Sequence, residues 1–468
     1  MPQKSKYLIA TTGLIAVLSL SCSTVGTPQT QPKLDTDVIG IEEKHLDSAH
    51  WINKTRNHQK VLLSPDDIQQ MNQRLFESAA DMVNLDSYPT QLTRDELIRQ
   101  VRQISSIPSS PRYYPDGQLV TPEDFEDYEL LLNLDNIEAR SPVKYGMAVK
   151  RTNMRTYPTT DRVYKKTTPT DLDRFQENAL FPADAVAVLH DSADGNWLLV
   201  QSYNYLAWVP AQDIAIGSWQ EIREFTNAAQ FIVVTGDSVT TNFNPAQTNT
   251  SEIHLEMGVK LPLSSAKDVS HNLHGQNPYT SYLVQLPTRA EDGKLVFEFA
   301  LIARGKDLRK GHLPYTRRNL IQQSFKFLGE RYGWGHSYNA RDCTGFVSEV
   351  YKTFGIYLPR NSGDQARSSL GENLRFEKNS SPDTRQQALT TLEVGNLIYI
   401  PGHVMMYLGH VDGEPYVIHD VAGLNYKLPS GDTYSGVLSG VSITPLTPLR
   451  LDEQRTYVST MTSIKRIK

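Results

Sequence analysis

The chain has 468 residues, which suits about three or four domains better than one. Apolar residues make up 39% without glycine, and the 28 glycines bring the share to about 45%, a globular rather than a disordered composition. A net charge of −5 with both signs mixed excludes a basic nucleic-acid binder, and two cysteines exclude a disulfide scaffold or a four-thiolate zinc site.

Lys4 and Lys6 precede an apolar run over 7–20 that ends in Ser21-Cys22. This pattern predicts a secretory signal, too short to span the ~30 Å hydrocarbon core of a bilayer. Leu18-Ser19-Leu20-Ser21-Cys22 resembles a bacterial lipobox, in which Cys22 becomes an acylated N-terminus. The alternative is an ordinary cleaved signal with an incidental cysteine. Ser23 after Cys22 points to the outer membrane by the same resemblance, and the polar, Pro-containing residues up to 35 read as a tether. With Cys22 acylated, Cys343 is the one thiol of the mature chain, unpaired where disulfides form. Such a thiol is either buried and inert or kept for its reactivity.

Ser64-Pro65-Asp66-Asp67 and Thr93-Arg94-Asp95-Glu96 are helix starts, followed by apolar residues at helical spacing. They predict a small helical layer up to about residue 140. From Val143 short strands are expected over 145–154, 185–190, 197–203 and 207–209, with Asp194-Gly195-Asn196 as a turn. The segment 231–304 is also strand-rich. The aromatic residues Tyr203, Tyr205 and Trp208 read as core. A further helix is expected over 319–331, and another after Cys343, where Phe346, Val347, Val350, Tyr351 and Phe354 fall at helical spacing with Asp342 as N-cap. The macrodipole at that position favours a thiolate, so a depressed pKa is expected for Cys343.

A nucleophilic thiol needs a base, and the base an orienting partner. His403 begins one predicted strand and His419 ends the next, with Asp412-Gly413 between them. A strict two-residue turn places the imidazoles on opposite faces, whereas a register shifted by one residue brings them together. Pro415 beside the turn favours a longer loop. His410, next to the turn, reads as a solvated histidine.

Tyr332-Gly333-Trp334-Gly335, Asp342-Cys343-Thr344-Gly345-Phe346, Leu358-Pro359-Arg360-Asn361-Ser362 with Gln365, and Gly402-His403-Val404 together resemble the NlpC/P60 family of papain-like cell-wall cysteine peptidases. His336, Thr344 and Asn396 depart from its usual residues without removing a catalytic group. The pieces 151–155, 196–200 and 208–210 resemble a bacterial SH3-like barrel, and the order of modules is similar to γ-D-glutamyl-L-diamino acid endopeptidases. The resemblance implies an α+β multidomain chain: signal over 1–22, tether and helical region over 23–140, SH3-like barrels over 141–225 and 226–312, and a papain-like catalytic domain over 313–468. It also implies Cys343 as nucleophile, His403 as base and acid, and His419 as orienting third member. Asp342 would face the cleft and anchor the substrate's free amine, or only cap the helix, while Thr344, Arg360 and Ser362 would line the cleft. No metal or organic cofactor is implied. The partners expected are peptidoglycan stem peptides and, through Cys22, a membrane, with no nucleic acid. The first barrel would wall off one end of the cleft. A non-catalytic wall-binding lipoprotein, and an amidase or acyltransferase on the same fold, are the competing expectations.

Overall fold

The structure is a computed structural model that describes residues 34–166 and 172–468, so the signal and Cys22 lie outside the described residues. Thr36–Lys468 forms one unit. Asp47 caps helix α1 (Ser48–Lys54), and Ser64 caps α2 (Pro65–Ser78) by accepting the Asp67 N–H while the Asp67 carboxylate accepts the Ser64 N–H. Thr93 and Glu96 form the expected reciprocal cap at α3 (Arg94–Ile104), and Thr121 with Asp124 does the same at α4 (Pro122–Leu131).

This helical region divides between two hosts. Trp51, Ile68, Met71 and Leu75 of α1 and α2 join the core of the C-terminal module around Phe346, Val350 and Tyr351. Leu97, Val101, Phe125 and Tyr128 of α3 and α4 cover Trp197, Leu199 and Trp208 of the first barrel. The Trp208 ring N–H donates to Ser105 Oγ at 3.0 Å, so this aromatic residue is core, as its sequence context implied.

The first barrel is a seven-stranded antiparallel sheet. It comprises β1 (Lys144–Ala148), β2 (Thr152–Arg155), β3 (Gln176–Leu180), β4 (Ala185–Asp191), β5 (Trp197–Gln201), β6 (Leu206–Pro210) and β7 (Ile214–Gly217). They lie in the order β7-β1-β4-β5-β6-β2-β3. Leu198 and Val200 point into the barrel while Trp197 and Leu199 face the helices, so both sides of β5 are buried. Strand β3 has no apolar alternation, and nothing in its sequence announced it.

After α5 (Trp219–Thr226), the second strand-rich segment is not one sheet. It comprises β8 (Phe231–Val234), β9 (Ser238–Thr240), β10 (His254–Glu256), β11 (Lys260–Pro262), β12 (Ser281–Arg289), β13 (Leu295–Ala303) and β14 (Leu308–Lys310). These form separate sheets β11-β8-β14, β9-β10 and β12-β13 on a shared core that includes Ile232, Leu261 and Val284. Apart from the long β12–β13 hairpin its strands have three or four residues separated by polar loops, and they form no continuous ladder like that of the first barrel.

The C-terminal module contains α6 (Arg317–Phe325), α7 (Cys343–Lys352), α8 (Ser362–Arg367), β15 (Glu372–Arg375), α9 (Pro382–Leu389), β16 (Leu397–Ile400), β17 (His403–Val411), β18 (Glu414–Lys427), β19 (Thr433–Pro445), α10 (Tyr457–Thr460) and β20 (Ser463–Arg466). Helix α6 starts two residues before the expected 319 because Thr316 caps it, and it stops at Phe325. The sheet order is β15-β20-β16-β17-β18-β19. Helix α7 packs on one face through Phe346 and Val350 against Val404, Met406 and Ile418. Residues of α9 and α10 cover Met405, Tyr407 and Val417 on the other face. Among the described residues, no helix is long and apolar enough to cross a membrane.

Candidate active site

Cys343 is the first residue of α7 and only 7% exposed. Asp342 Oδ1 accepts the Gly345 N–H at 2.9 Å and the Thr344 hydroxyl at 2.8 Å, which is N-capping with a second ligand. Asp342 Oδ2 accepts the Gly335 N–H at 3.1 Å and Arg360 Nη2 at 2.6 Å. Burial opposes ionisation of Asp342, but Arg360, His336 and the Gly345 N–H outweigh it and hold the carboxyl well below its usual range. Arg360 reaches onward to Asn178 Oδ1 at 2.7 Å and the Glu177 carbonyl at 3.1 Å, so it joins the cap of α7 to β3 of the barrel. Ser362 opens α8 and is partly exposed.

The thiol differs from its sequence expectation. Burial pushes Cys343 up to about 12, the Asp342 carboxylate adds to the rise, and a hydrogen bond from the Val404 N–H opposes it. The macrodipole's partial positive charge is offset by the charged cap next door, and desolvation of the sulfur decides the direction. The resting group is a thiol.

The Val404 amide contact lays the sulfur near the second residue of β17. His403 Nε2 lies 2.8 Å from His419 Nδ1, and His419 Nε2 lies 3.0 Å from Thr444 Oγ1. Burial lowers His403 to about 4, with Asp342 opposing. Burial and then His403 drive His419 well below its ordinary value. Both imidazoles are therefore neutral. Tyr457 closes this corner, its ring centroid 6.3 Å from that of His403.

The register that unites the histidines arises differently from the expected longer loop. Val411 pairs with Glu414 and His410 with Pro415, so Asp412-Gly413 is a strict two-residue turn, with φ of 52° and 84°. Pro415 is accommodated inside the ladder. The shift comes from a bulge: Gly409 pairs with Tyr416, but Tyr407 pairs with Val417, leaving Leu408 as the extra residue. Beyond it Met406 faces Ile418, which carries His403 and His419 to one face. Trp51 of α1 seats on the bulge, its ring carbon 3.3 Å from where a Cβ on Gly409 would stand. His410 is exposed and bonded to Tyr407, apart from the pair.

Sequence reasoning missed several neighbours. Tyr205 donates to Glu177 at the barrel edge near Arg360. Asp420 follows His419 and is fully buried, with neither carboxylate oxygen hydrogen-bonded. Burial, Asp342 and Glu330 raise it to about 9, against Arg341. None of these carries a one-sequence signal, because each acquires its surroundings from distant segments. A cavity of about 720 Å³ opens at the far end of α7 beside Lys352 and Tyr203, and no expected catalytic residue lines it.

Residues 329–441 match the NlpC/P60 family, and residues 162–210 match an SH3 domain of the SH3b1 type. A γ-D-glutamyl-L-lysine dipeptidyl-peptidase of Bacillus cereus is 24% identical over 252 residues, covering 50% of this chain and 69% of that protein. One of the same name from Bacillus subtilis is 31% identical over 97 residues, 19% of this chain and 33% of that one. The solved structure of an NlpC/P60 endopeptidase from Photobacterium damselae subsp. piscicida superposes with a TM-score of 0.72 at 18% identity, over 90% of this chain and 96% of that one. The chain thus carries a catalytic domain of the NlpC/P60 family of peptidoglycan hydrolases behind an SH3b-type domain. It is a cysteine peptidase.

Proposed function

We propose that the protein hydrolyses the γ-D-glutamyl-diamino acid amide of peptidoglycan stem peptides, with Cys343 as nucleophile, His403 as general base and acid, and His419 as orienting member. The observation that carries this reading is the chain His403–His419–Thr444 along one face of β17, β18 and β19, with the sulfur near the Val404 amide. When His419 donates from Nε2 to Thr444 and accepts at Nδ1 the proton on His403 Nε2, the lone pair of His403 Nδ1 is free. That nitrogen takes the thiol proton as Cys343 Sγ attacks the γ-carbonyl. Because the resting pair is neutral, proton transfer accompanies carbon–sulfur bond formation. The Cys343 N–H, first in α7 and outside its hydrogen-bond ladder, is aimed at the developing oxyanion. His403 then protonates the leaving amine, and water activated by the same nitrogen releases the thioester.

The names of the Bacillus relatives favour a γ-D-glutamyl acyl side. The docking of β3 through Arg360 favours a cleft closed at one end, suited to peptides with a free N-terminal L-alanine. An incoming ammonium would compete with Arg360 for Asp342, with Thr344, Arg360 and Ser362 forming the surrounding wall. We further propose that the mature chain is held at the outer membrane, facing the periplasm, by acylation of Cys22, on the strength of the signal pattern. Loss of labelled palmitate on Cys22→Ala tests that part.

The test of the reaction is mass spectrometry of products from L-Ala-γ-D-Glu-meso-diaminopimelate with the chain lacking residues 1–22 and its Cys343→Ala variant. Release of L-Ala-D-Glu by the first alone is expected. Cleavage by both overturns the assignment of the nucleophile, and cleavage of intact sacculi in preference to tripeptide overturns the closed cleft.

A further inference from the structure

The segment that leads into Cys343 is held in a strained shape. Between Gly333 and Asp342 the backbone enters the left-handed region at Gly335, His336, Tyr338 and Asn339, with φ of 59°, 65°, 62° and 56°. Three of these residues carry side chains and occupy a sparsely populated conformation, one that persists only when surrounding contacts over-determine it. The segment's own bonds close its ends and two short turns: the Gly333 N–H donates to the Arg341 carbonyl at 2.6 Å and the Gly335 N–H to Asp342 Oδ2 at 3.1 Å, while the His336 N–H donates to the Gly333 carbonyl and the Ala340 N–H to the Ser337 carbonyl, each at 3.0 Å.

Within its own module the His336 ring also meets Glu349 at 3.2 Å, and further constraints come from the other two modules. Arg151, which precedes β2 of the first barrel, donates from one Nη2 to the His336 carbonyl at 2.9 Å and the Ala340 carbonyl at 2.8 Å. Gln176 of β3 donates to the Gly335 carbonyl at 2.7 Å and accepts the Trp334 ring N–H at 3.1 Å. The other Nη of Arg151 is paired with Glu256 at the end of β10, in the second strand-rich segment. Glu256 also accepts Arg341 Nη2 at 2.6 Å. Arg341 stands two residues before the nucleophile, is 1% exposed, and completes its fork on Glu349 at 2.6 Å and Glu330 at 2.7 Å. One guanidinium and one carboxylate, supplied by different modules, thus grip both ends of the strained segment.

We propose that Arg151 and Glu256 are positioning residues for Cys343: the two N-terminal modules hold the 334–341 segment in its strained conformation and so set the placement of the nucleophile. This deepens the proposed function, on which it rests for the role of Cys343. It gives the modules a task beyond walling the cleft, and the two tasks separate kinetically. A wall residue acts on substrate binding, whereas a positioning residue acts on turnover.

The experiment uses the full mature chain and its Arg151→Met and Glu256→Gln variants, with kcat and KM on the tripeptide and amide exchange of residues 333–342 by mass spectrometry. Arg151→Met is expected to lower kcat about 100-fold, the scale of a misplacement near 1 Å, with KM within about threefold of wild type. Exchange in 333–342 is expected to accelerate while β17 and β18 keep their protection. Glu256→Gln preserves volume and changes both readouts in the same direction, less strongly. If Arg151→Met loses protection throughout, Glu256→Gln alone decides. Wild-type kcat with unchanged exchange in 333–342 overturns the proposal, as does a rise in KM alone. Should the wild type leave the tripeptide intact, the reaction assigned above fails, and exchange in 333–342 still decides whether the modules hold the segment.

Discussion

Asp420→Asn is expected to stabilise the protein, increasingly so as pH rises. In the folded chain the Asp420 carboxyl is raised from 3.8 to about 9, mainly by burial and then by the Asp342 and Glu330 carboxylates. Between those values the folded state keeps a proton that the unfolded state has released. Stability therefore falls as pH climbs from 4 to 9, at ~1.4 kcal/mol per unit. At pH 7 the cost is ~4 kcal/mol, three units at that slope. Asparagine has the same shape and is likewise neutral and unpartnered, so the desolvation of the polar group nearly cancels, leaving a gain of ~2–4 kcal/mol at pH 7. All other titrating groups are common to both proteins and drop out of the difference. Urea titrations at pH 5, 7 and 8.5, followed by amide exchange on β17 and β18, isolate the catalytic module. The advantage should be small at pH 5 and larger by ~4–5 kcal/mol at pH 8.5. A difference independent of pH, or a less stable variant at pH 8.5, refutes the reasoning.

The remaining expectations concern the site and its support. His403 is lowered to about 4, so kcat/KM should hold its value down to about pH 5 and fall only as the imidazole takes a proton below that; a limb near pH 6.5 in the pH–rate profile contradicts it. With its thiol up at about 12, Cys343 should react with iodoacetamide at pH 7 more slowly than glutathione does, the rate rising about tenfold per unit to pH 9, whereas a fast, flat rate in peptide mapping contradicts this. Thr444→Val removes the hydrogen bond that orients His419, and a loss of ~1–1.5 kcal/mol predicts kcat down about tenfold at unchanged KM in steady-state assays. Trp51→Ala empties a fully buried site against the bulge and should cost ~3–5 kcal/mol in urea unfolding, with kcat falling as the histidine register loosens.

Much of the site was legible because its signals are local. Periodic Phe346, Val350 and Tyr351 behind a capping Asp342 announced α7, and the strands bearing His403 and His419 stood out by composition. What escaped has causes at long range. Burial of the sulfur, with the charge of Asp342 adding to it, reverses the pKa direction that helix position alone suggests. Strand β3 is polar because the Asn178 side chain serves Arg360 and the Gln176 side chain serves the Gly335 carbonyl rather than water. Arg151 and Glu256 are ordinary surface types until the fold brings them together across a sequence separation of 105. The parity of the hairpin hinged on a single unpaired residue, and the proline that argued for a longer loop was absorbed without one.

That unpaired residue constrains how the hairpin can change over time. Deleting Leu408, or adding one residue to either arm between the turn and the histidines, sends one imidazole to the wrong side of the sheet, and removing two from one arm keeps the face but slides the imidazoles about 6.8 Å apart. Length variation in these arms is therefore tolerated only in matched steps, one arm compensating the other. The β18–β19 turn, over 428–432, lies beyond both histidines and escapes the rule. Lineages of this enzyme should accumulate loop-length differences there and keep the β17–β18 hairpin at constant parity.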